Sequence, residues 1–196
     1  HWEQAQLQYI QRNTNRLLHL VNQLMDYRRA ELGIFELRPT YSNAYKRVLN
    51  CFINYESLAK RKDIDYNFYT ELQDEKMLFD ENYLDLIVNN LLSNAFKYTE
   101  VGESITVKLC KEDNNLILQV VDTGIGIPKE EQEKIFSRFT KLDREMQGTG
   151  LGLTLSQTIV HNLGGRFGVE SEVGKGSTFW FILPLVTKKE ITNDKI

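Results

Sequence analysis

The sequence predicts an α+β protein in which one long helix precedes a layered body of strands and helices. Apolar residues first recur with a helical repeat over residues 3–32, and strand-like and helical patterns alternate from there on. The chain has 196 residues, of which 41% are apolar and 26% are charged. This composition suits one soluble globular domain with an appendage.

Composition also narrows the function. The net charge of −3 and the pI near 5.7 provide no general positive field, so nucleic acid is not an expected partner. No apolar run reaches membrane-spanning length, and no signal peptide is visible. Cys51 and Cys110 lack metal-ligand spacing, which predicts buried, inert thiols in a reducing compartment. Because the chain starts with His1 and is helical in pattern at once, we expect a piece of a longer polypeptide.

The first helix carries a seven-residue repeat. Its seam positions follow alternating steps of three and four: Leu7, Ile10, Thr14, Leu17, Val21, Leu24 and Arg28. A coiled coil or helical bundle shows this pattern, and so does an amphipathic helix folded onto its own domain. The strict repeat and outer residues such as Gln11 and Arg12 favour a bundle between molecules. Gly33 is predicted to end the helix.

The layered body is predicted to begin with a short strand at residues 35–39 and a helix that Ser42 caps and that runs to about Lys62. Strands are predicted at residues 64–72 and at Met77–Phe79. The helix would turn these residues inward: Ala44, Val48, Cys51, Phe52, Tyr55 and Ala59.

A helix predicted at Glu81–Tyr98 carries the first chemical signal. Its buried stripe is Leu84, Val88, Leu91 and Ala95. On another face, Asn90, Asn94 and Lys97 recur at i, i+4 and i+7. They could form a solvated face, but asparagine is a poor helix former, so two of them one turn apart indicate a partner. A carboxamide oxygen suits Mg²⁺ that shares phosphate ligands, and a lysine ammonium would meet the phosphates.

The second signal is Asp122, which follows predicted strands at residues 105–110 and 116–121. Gly124 and Gly126 come next at alternate positions. A carboxylate where a buried strand meets a turn either caps its own loop or accepts a hydrogen bond from a ligand's amino group. The triplet Asp-Thr-Gly also occurs in aspartic proteases, but those need a second such aspartate. The chain has one triplet and long helical patterns, which argue against a protease.

The remaining segments are predicted in order. Pro128 opens a helix, residues 140–147 are polar without periodicity, and the glycine loop at residues 148–153 opens a helix to Leu163. Glycines at a helix start let backbone N–H groups approach phosphates, although glycine also marks tight turns. Two strands follow at residues 167–170 and 177–183, and a charged tail, residues 188–196, completes the chain.

Together these segments resemble the nucleotide-binding boxes of the sensor histidine kinase catalytic domain, in the superfamily shared with DNA gyrase, Hsp90 and MutL. Residues 90–99 are similar to the N box, 122–128 to the first glycine box, 135–139 to the phenylalanine box, 148–153 to the second glycine box and 174–179 to the third. The resemblance covers about residues 36–185. It implies a Bergerat-type two-layer sandwich, with a mixed, mostly antiparallel sheet on one side and helices on the other.

The resemblance also implies roles for residues. Asp122 would accept from the adenine amino group, with Gly124 and Gly126 letting the chain pass close to the base. Asn94 would coordinate Mg²⁺. The residues implied in catalysis are Asn90, Lys97, Arg138 and Lys141, the last two reaching the γ-phosphate from a lid at residues 138–148. The other implied ATP contacts are Tyr98, Ile127, Phe136, Gly148, Thr149, Gly150, Leu151, Gly152, Leu153 and Thr178.

The helix at residues 1–33 resembles the second helix of a dimerisation and histidine phosphotransfer domain. Its sequence is similar to that of Bacteroides-type hybrid two-component sensors. Residues 34–186 would form the ATP-binding domain and residues 187–196 a linker. His1, His19 and His161 lack the His-Glu or His-Asp context of a phosphoacceptor. The resemblance implies a homodimeric inner-membrane sensor whose cytoplasmic portion includes this chain and serves a response regulator or fused receiver domain. An ATP-gated clamp or a serine kinase of the same superfamily is the alternative.

Overall fold

A computed structural model describes residues 2–34, 38–72, 74–137 and 150–185. The helices of this part are α1 (Trp2–Glu31), α2 (Ala44–Lys62), α3 (Glu81–Tyr98) and α4 (Gly152–Asn162), with a short 3₁₀ helix at Lys134–Phe136. The strands are β1 (Thr40–Ser42), β2 (Asp65–Thr70), β3 (Met77–Phe79), β4 (Ser104–Glu112), β5 (Asn115–Asp122), β6 (Arg166–Glu172) and β7 (Gly176–Pro184). None of these helices is both long and apolar enough to cross a membrane.

Five strands form the main sheet in the order β2-β4-β5-β7-β6. The β2–β4 pair is parallel and the other three pairs are antiparallel, and β1 and β3 form a separate antiparallel pair. The predicted α+β class with a mixed, mostly antiparallel sheet is therefore confirmed.

The core lies between this sheet and a layer made by α2, α3 and α4. Alternate residues of β5 are buried, ending with Val120 and Asp122, because strand side chains point to opposite faces in turn. The predicted stripe of α3 is confirmed: Leu84, Val88, Leu91 and Ala95 are all at most 2% exposed. In α2 the predicted inner residues are buried except Tyr55, which is partly buried. Asp122 therefore enters the layer between sheet and helices.

The start of the body differs from the prediction. The first strand is Thr40–Ser42; Arg38 and Pro39 lie before it, and residues 35–37 lie outside the described part. Pro39 has no N–H for a ladder, and the N–H of Arg38 donates to Asp80 Oδ2 at 2.9 Å. Ser42 pairs with Met77 in the strand, so Asn43 is the cap instead, accepting from the N–H of Lys46 at 2.8 Å.

The helix predicted from Pro128 is also wrong. Residues 128–133 form turns, and the 3₁₀ helix Lys134–Phe136 follows. The N–H of Glu131 bonds to Pro128 O, three residues back, and the Gln132 side chain donates to Ile127 O at 3.0 Å. These contacts hold the segment against the loop before it, so a regular helix does not develop.

Helix α1 touches the body only with its last turns among the described residues. Tyr27 and Ala30 are buried, and Asn162 Nδ2 of α4 donates to Ala30 O at 2.8 Å. The apolar seam residues Leu7, Ile10, Leu17, Val21 and Leu24 are exposed. Packing on its own domain therefore involves a different face from the seven-residue repeat. Gly33, with φ +65°, ends the helix as predicted.

The two cysteines sit in different surroundings. Cys51 is buried, and burial raises the pKa of its thiol to about 11. Cys110 is half-buried, so the predicted burial holds fully only for Cys51. A thiol with a raised pKa is a poor nucleophile, which agrees with an inert role for Cys51.

Candidate nucleotide site

Asp122 is the last residue of β5, and only 4% of it is exposed. Its Oδ1 accepts from the N–H of Gly124 at 3.0 Å and from the N–H of Ser177 at 3.2 Å. Burial raises the pKa of its carboxyl group to about 6, against the lowering effect of these two bonds. The carboxylate thus caps its own loop through Oδ1. None of the hydrogen bonds among the described residues reaches Oδ2, which can serve a ligand.

The loop after Asp122 passes between two backbone segments. A Cβ at Gly124 would lie 2.1 Å from Tyr98 O, and a Cβ at Gly126 would lie 2.0 Å from Glu172 O. Gly126 also has φ +70°, which disfavours other residues. The two glycines are therefore required by contact with α3 on one side and with the β6–β7 turn on the other.

Helix α3 is fixed at both ends. Asp80 caps its start, accepting from the N–H groups of Asn82 and Tyr83 at 3.0 and 3.2 Å. At its other end Lys62 Nζ donates to Phe96 O at 2.6 Å and to Thr99 O at 2.8 Å. Cations near helix C-termini stabilise the last carbonyls. The Lys62 contacts thereby tie the C-terminal end of α3 to the end of α2.

On that face, Asn90 contacts the start of α4. Its Nδ2 donates to Gly152 O at 3.1 Å and to Ser156 Oγ at 3.0 Å. A Cβ at Gly152 would lie 3.4 Å from the Asn90 amide, an ordinary van der Waals distance, so this contact alone does not require glycine. Both bonds use the amide nitrogen, so Asn90 Oδ1 accepts no hydrogen bond among the described residues.

Asn94 and Lys97 follow on the same face and are half-buried. The Asn94 side chain makes no hydrogen bond within the described part of the chain, whereas Lys97 Nζ donates to the Tyr98 hydroxyl at 2.9 Å. No three His, Cys, Asp or Glu residues of the described part gather as metal ligands. A carboxamide oxygen that shares a cation with phosphates remains compatible with this composition.

Helix α4 begins without a capping side chain among the described residues. Gly150 has φ +69° and Leu151 is buried, so the backbone turns sharply into the first helical N–H groups. Thr154 Oγ1 donates to Phe136 O at 2.8 Å, and the Phe136 ring meets the Phe167 ring edge-on at 5.8 Å. Uncapped N–H groups at a helix start favour an anion.

A cleft of about 330 Å³ opens at the ends of β5, β6 and β7. Its lining includes Asp122, Ser171 and Ser177 from one face of the sheet and Val121, Glu170 and Thr178 from the other. Residues of α3 are absent from this lining. The cleft therefore borders Asp122 at the edge of the sheet, whereas the contacts of α3 and α4 described above lie outside it.

Comparison with known proteins identifies this arrangement. Residues 79–187, more than half of the chain, match the family described as histidine kinase-, DNA gyrase B- and HSP90-like ATPase. The chain belongs to this family. Its ATP-binding domain is of the histidine kinase type.

Several histidine kinases are similar to this chain in sequence. The circadian input-output histidine kinase CikA of Synechococcus elongatus is 37% identical over 86% of this chain and 23% of its own length. The autoinducer 2 sensor kinase/phosphatase LuxQ of Vibrio vulnificus is 36% identical over 91% of this chain and 22% of its own. The chain thus spans less than a quarter of these relatives.

Two solved structures share the fold. Full-length ShkA in complex with AMPPNP gives a TM-score of 0.80 at 27% identity, over 90% of this chain and 37% of that chain. The catalytic domain of the histidine kinase ThkA gives 0.68 at 28% identity, over 75% of this chain and 95% of that chain.

Within this ATPase fold the predicted site residues fall into three groups. Asp122, Gly124, Gly126, Ile127 and Tyr98 lie together at one end. At the other end Asn90 contacts Gly152, with Asn94 and Lys97 on the same helix face as Asn90, and Gly150, Leu151, Leu153 and Phe136 lie at or against the start of α4. Arg138, Lys141, Gly148 and Thr149 lie outside the described residues.

Thr178 is not brought to Asp122. It pairs with Val121, whereas Ser177 pairs with Asp122, so Thr178 lies on the opposite sheet face. Ser177, the residue that pairs with Asp122, is 6% exposed. The sequence could have indicated Ser177, because it is in phase with the alternating inner residues of β7, Phe179, Phe181 and Leu183. Ser171, Gln132 and Ser156 also escaped prediction, since their contacts depend on the tertiary fold.

Proposed function

We propose that this chain is the ATP-binding catalytic module of a sensor histidine kinase. It would transfer the γ-phosphoryl group of ATP to a histidine on a dimerisation domain, within the cytoplasmic portion of an inner-membrane sensor. Residues 1–33 would belong to the dimerisation domain, residues 34–186 to the catalytic domain and residues 187–196 to a linker. A response regulator or fused receiver domain would take the phosphoryl group onward.

One observation carries the proposal: α3 contacts the Asp122 loop near its C-terminal end and the uncapped start of α4 about two turns earlier. The N–H of Ile125 in the Asp122 loop bonds to Tyr98 O at 3.4 Å, and Asn90, eight residues earlier, bonds to the start of α4. At 1.5 Å per residue these points are about 12 Å apart along the helix. An extended nucleoside triphosphate covers such a distance, with its base at Asp122 and its phosphates at α4.

The residues present fit ATP and Mg²⁺. Asp122 Oδ2 would accept from the adenine amino group, and the first N–H groups of α4 would hold phosphate oxygens with Lys97 as a nearby cation. Asn94 Oδ1 would hold Mg²⁺, which when bound neutralises charge on the phosphates. Phosphoryl transfer needs mainly positioning and charge neutralisation, so the module can act without a nucleophile or base of its own.

Titration calorimetry with Mg-ATP on Asp122→Asn tests the base end. The amide replaces an acceptor oxygen by a donor and removes the charge, so the affinity should fall by about 10- to 100-fold, as for a lost charged hydrogen bond.

Asp113→Asn is the matched control, because it removes the same charge from an exposed turn where φ is +51° and asparagine is well tolerated. It should bind ATP as the parent chain does. Equal affinities for Asp122→Asn and the parent chain would leave Asp122 as a loop cap alone.

A further inference from the structure

Three side chains form a row across the nucleotide-facing side of the sheet. In the strand register Ser171 of β6 pairs with Ser177 of β7, and Ser177 pairs with Asp122 of β5. Directly paired residues point to the same face, so the two hydroxyl groups and the carboxyl group are neighbours. The Ser177 N–H donates to Asp122 Oδ1, which ties the row together.

The Ser171 hydroxyl has three polar neighbours. The N–H of Ile127 donates to its oxygen at 2.8 Å, Gly176 O lies 2.9 Å away, and Ser177 Oγ lies 2.9 Å away. A hydroxyl carries one hydrogen and two acceptor lone pairs. Gly176 O can only accept, so the hydrogen of Ser171 goes there. The remaining contact is satisfied only if the Ser177 hydroxyl donates to Ser171 Oγ.

The surrounding backbone holds the partners of the Ser171 hydroxyl in place and so fixes the direction of these hydrogen bonds. Gln132 Nε2 donates to Ser171 O at 2.8 Å and to Ile127 O at 3.0 Å, so both partners are held in place. Gly176 has φ +107°, and a Cβ there would lie 1.9 Å from Asp122 O. Gly176 also pairs with Glu172 in the β6–β7 ladder, so its backbone, with the carbonyl that accepts from Ser171, is packed between β5 and β6.

The consequence concerns what a ligand meets. With its hydrogen directed at Ser171, Ser177 Oγ offers only lone pairs to a ligand group placed beside Asp122, its partner in the strand register. Asp122 Oδ2 is also an acceptor. This end of the site then favours a group with two hydrogens to donate and disfavours a carbonyl oxygen.

We propose that Ser171 is a positioning residue that makes the site select a 6-amino purine over a 6-oxo purine, by holding the Ser177 hydroxyl as an acceptor. The proposal rests on the proposed function, since it concerns the base of the same nucleotide. Without Ser171 the Ser177 hydroxyl can rotate and donate to an oxo group.

The test compares dissociation constants of the whole 196-residue chain for ATP and for inosine triphosphate, both with Mg²⁺. At carbon 6 ATP carries an amino group and inosine triphosphate an oxygen, and nitrogen 1 is an acceptor in ATP and carries a hydrogen in inosine triphosphate. The change of the ATP preference between the parent chain and each variant is therefore the quantity compared. In Ser171→Ala the preference for ATP should fall about tenfold. In Ser171→Thr, which keeps a hydroxyl, the preference should return. Ser104→Ala, whose hydroxyl faces Thr123 at 3.4 Å, is the matched control and should keep the parent ratio.

If the role of Ser171 were purely structural, Ser171→Ala would weaken the binding of both nucleotides alike and leave the ratio of their dissociation constants unchanged. That result would overturn the proposal. A second measurement uses Ser177→Ala, which should itself lower the preference. Adding Ser171→Ala in that background should change the ratio no further, because the path through Ser177 is gone. Additive effects, or a full preference in Ser177→Ala, would overturn it as well. If the parent chain bound neither nucleotide, the proposed function itself would fail.

Discussion

The two carboxyl oxygens of Asp122 have different tasks. Oδ1 is occupied by the N–H groups of Gly124 and Ser177, while Oδ2 has no hydrogen-bond partner among the described residues. A loop cap would work equally well with an uncharged amide, which offers the same single acceptor. Keeping a charged group at 4% exposure has a cost in stability that the fold alone does not require. Such a cost is typical of a binding position.

That cost predicts a pH dependence of stability. The pKa of Asp122 is raised from 3.8 to about 6 in the folded chain, so the folded state holds its proton more tightly than the unfolded state does. Stability from this group is full below pH 3.8 and is lost as the pH rises toward 6, amounting to about 3 kcal/mol at most. Urea unfolding of Asp122→Asn should therefore show a gain over the parent chain at pH 7 that disappears at pH 4. A constant difference across this range would contradict the raised pKa.

Asn94 predicts a separable effect on the metal. Asn94→Ala removes the carboxamide oxygen, so ATP affinity should fall by about tenfold or more in Mg²⁺ and change little in EDTA. The variant should not unfold, because alanine is about 0.6 kcal/mol better than asparagine inside a helix.

Asn54→Ala on the exposed face of α2 is the control for the Asn94 variant, since it makes the same change far from the polar face of α3. Calorimetry in both buffers measures each variant. Equal losses for Asn94→Ala with and without Mg²⁺ would remove Asn94 as the metal ligand.

At the scale of residues, the sequence predicted the site where the spacing along one helix or strand determines which side chains share a face. Asn90, Asn94 and Lys97 share a face because a helix has 3.6 residues per turn, and Asp122 follows a strand whose alternation is visible. Thr178 pairs with Val121 and not with Asp122, and a step of one residue along a strand moves a side chain to the other face. The Ser171 and Gln132 contacts join segments about 40 residues apart, and no local pattern contains them.

At the scale of elements, α3 and β3 match their predicted bounds, because caps and apolar stripes there agree with each other. The segment after Pro128 does not match. Proline is tolerated at the first position of a helix but does not require one. Here the contact of Gln132 with Ile127 O and the 3₁₀ helix that begins at Lys134 leave only a few residues between them, and these form turns. In residues 128–133 the helix propensity is therefore outweighed by contacts with the preceding loop.

The glycine loop predicts a contrast between two alanine substitutions. Gly126→Ala and Gly102→Ala both place alanine at a positive φ, +70° and +82°. A Cβ at Gly126 would strike Glu172 O at 2.0 Å, whereas nothing lies within 4 Å at Gly102. Gly102→Ala should cost about 1 kcal/mol of unfolding free energy from the backbone alone, and Gly126→Ala about 3 kcal/mol. Urea denaturation of both variants measures the difference, and similar values would show that the β6–β7 turn yields freely.

At the scale of the whole molecule, the described part of the chain consists of an ATP-binding domain and one helix, α1, that leads into it. α1 is anchored through Tyr27, Ala30 and the bond from Asn162, while its seven-residue seam stays exposed. The sequence predicted the seam but not the anchor, because Tyr27 and Ala30 lie off the repeat. An exposed seam next to an ATP domain fits a helix that meets further helices of a dimerisation domain.

This organisation predicts that the isolated chain binds ATP yet does not phosphorylate itself. Of its three histidines, His161 lies exposed in the last turn of α4, His19 lies in α1 and His1 is outside the described residues. None follows the context of a phosphoacceptor. Adding a dimerisation domain from the parent protein, with its own histidine, should restore transfer in trans. Transfer should be weak, because the covalent tether that raises effective concentration is gone.

Label from γ-labelled ATP that is stable in base and labile in acid would mark the phosphohistidine. The Asp122→Asn variant serves as control, because it should lose transfer to the added domain together with ATP affinity, which assigns the label to this ATP site. Label on the isolated chain that disappears in His19→Gln or His161→Gln would identify an acceptor within these residues and contradict the prediction. Label on serine, stable in acid, would instead favour a serine kinase of the same superfamily.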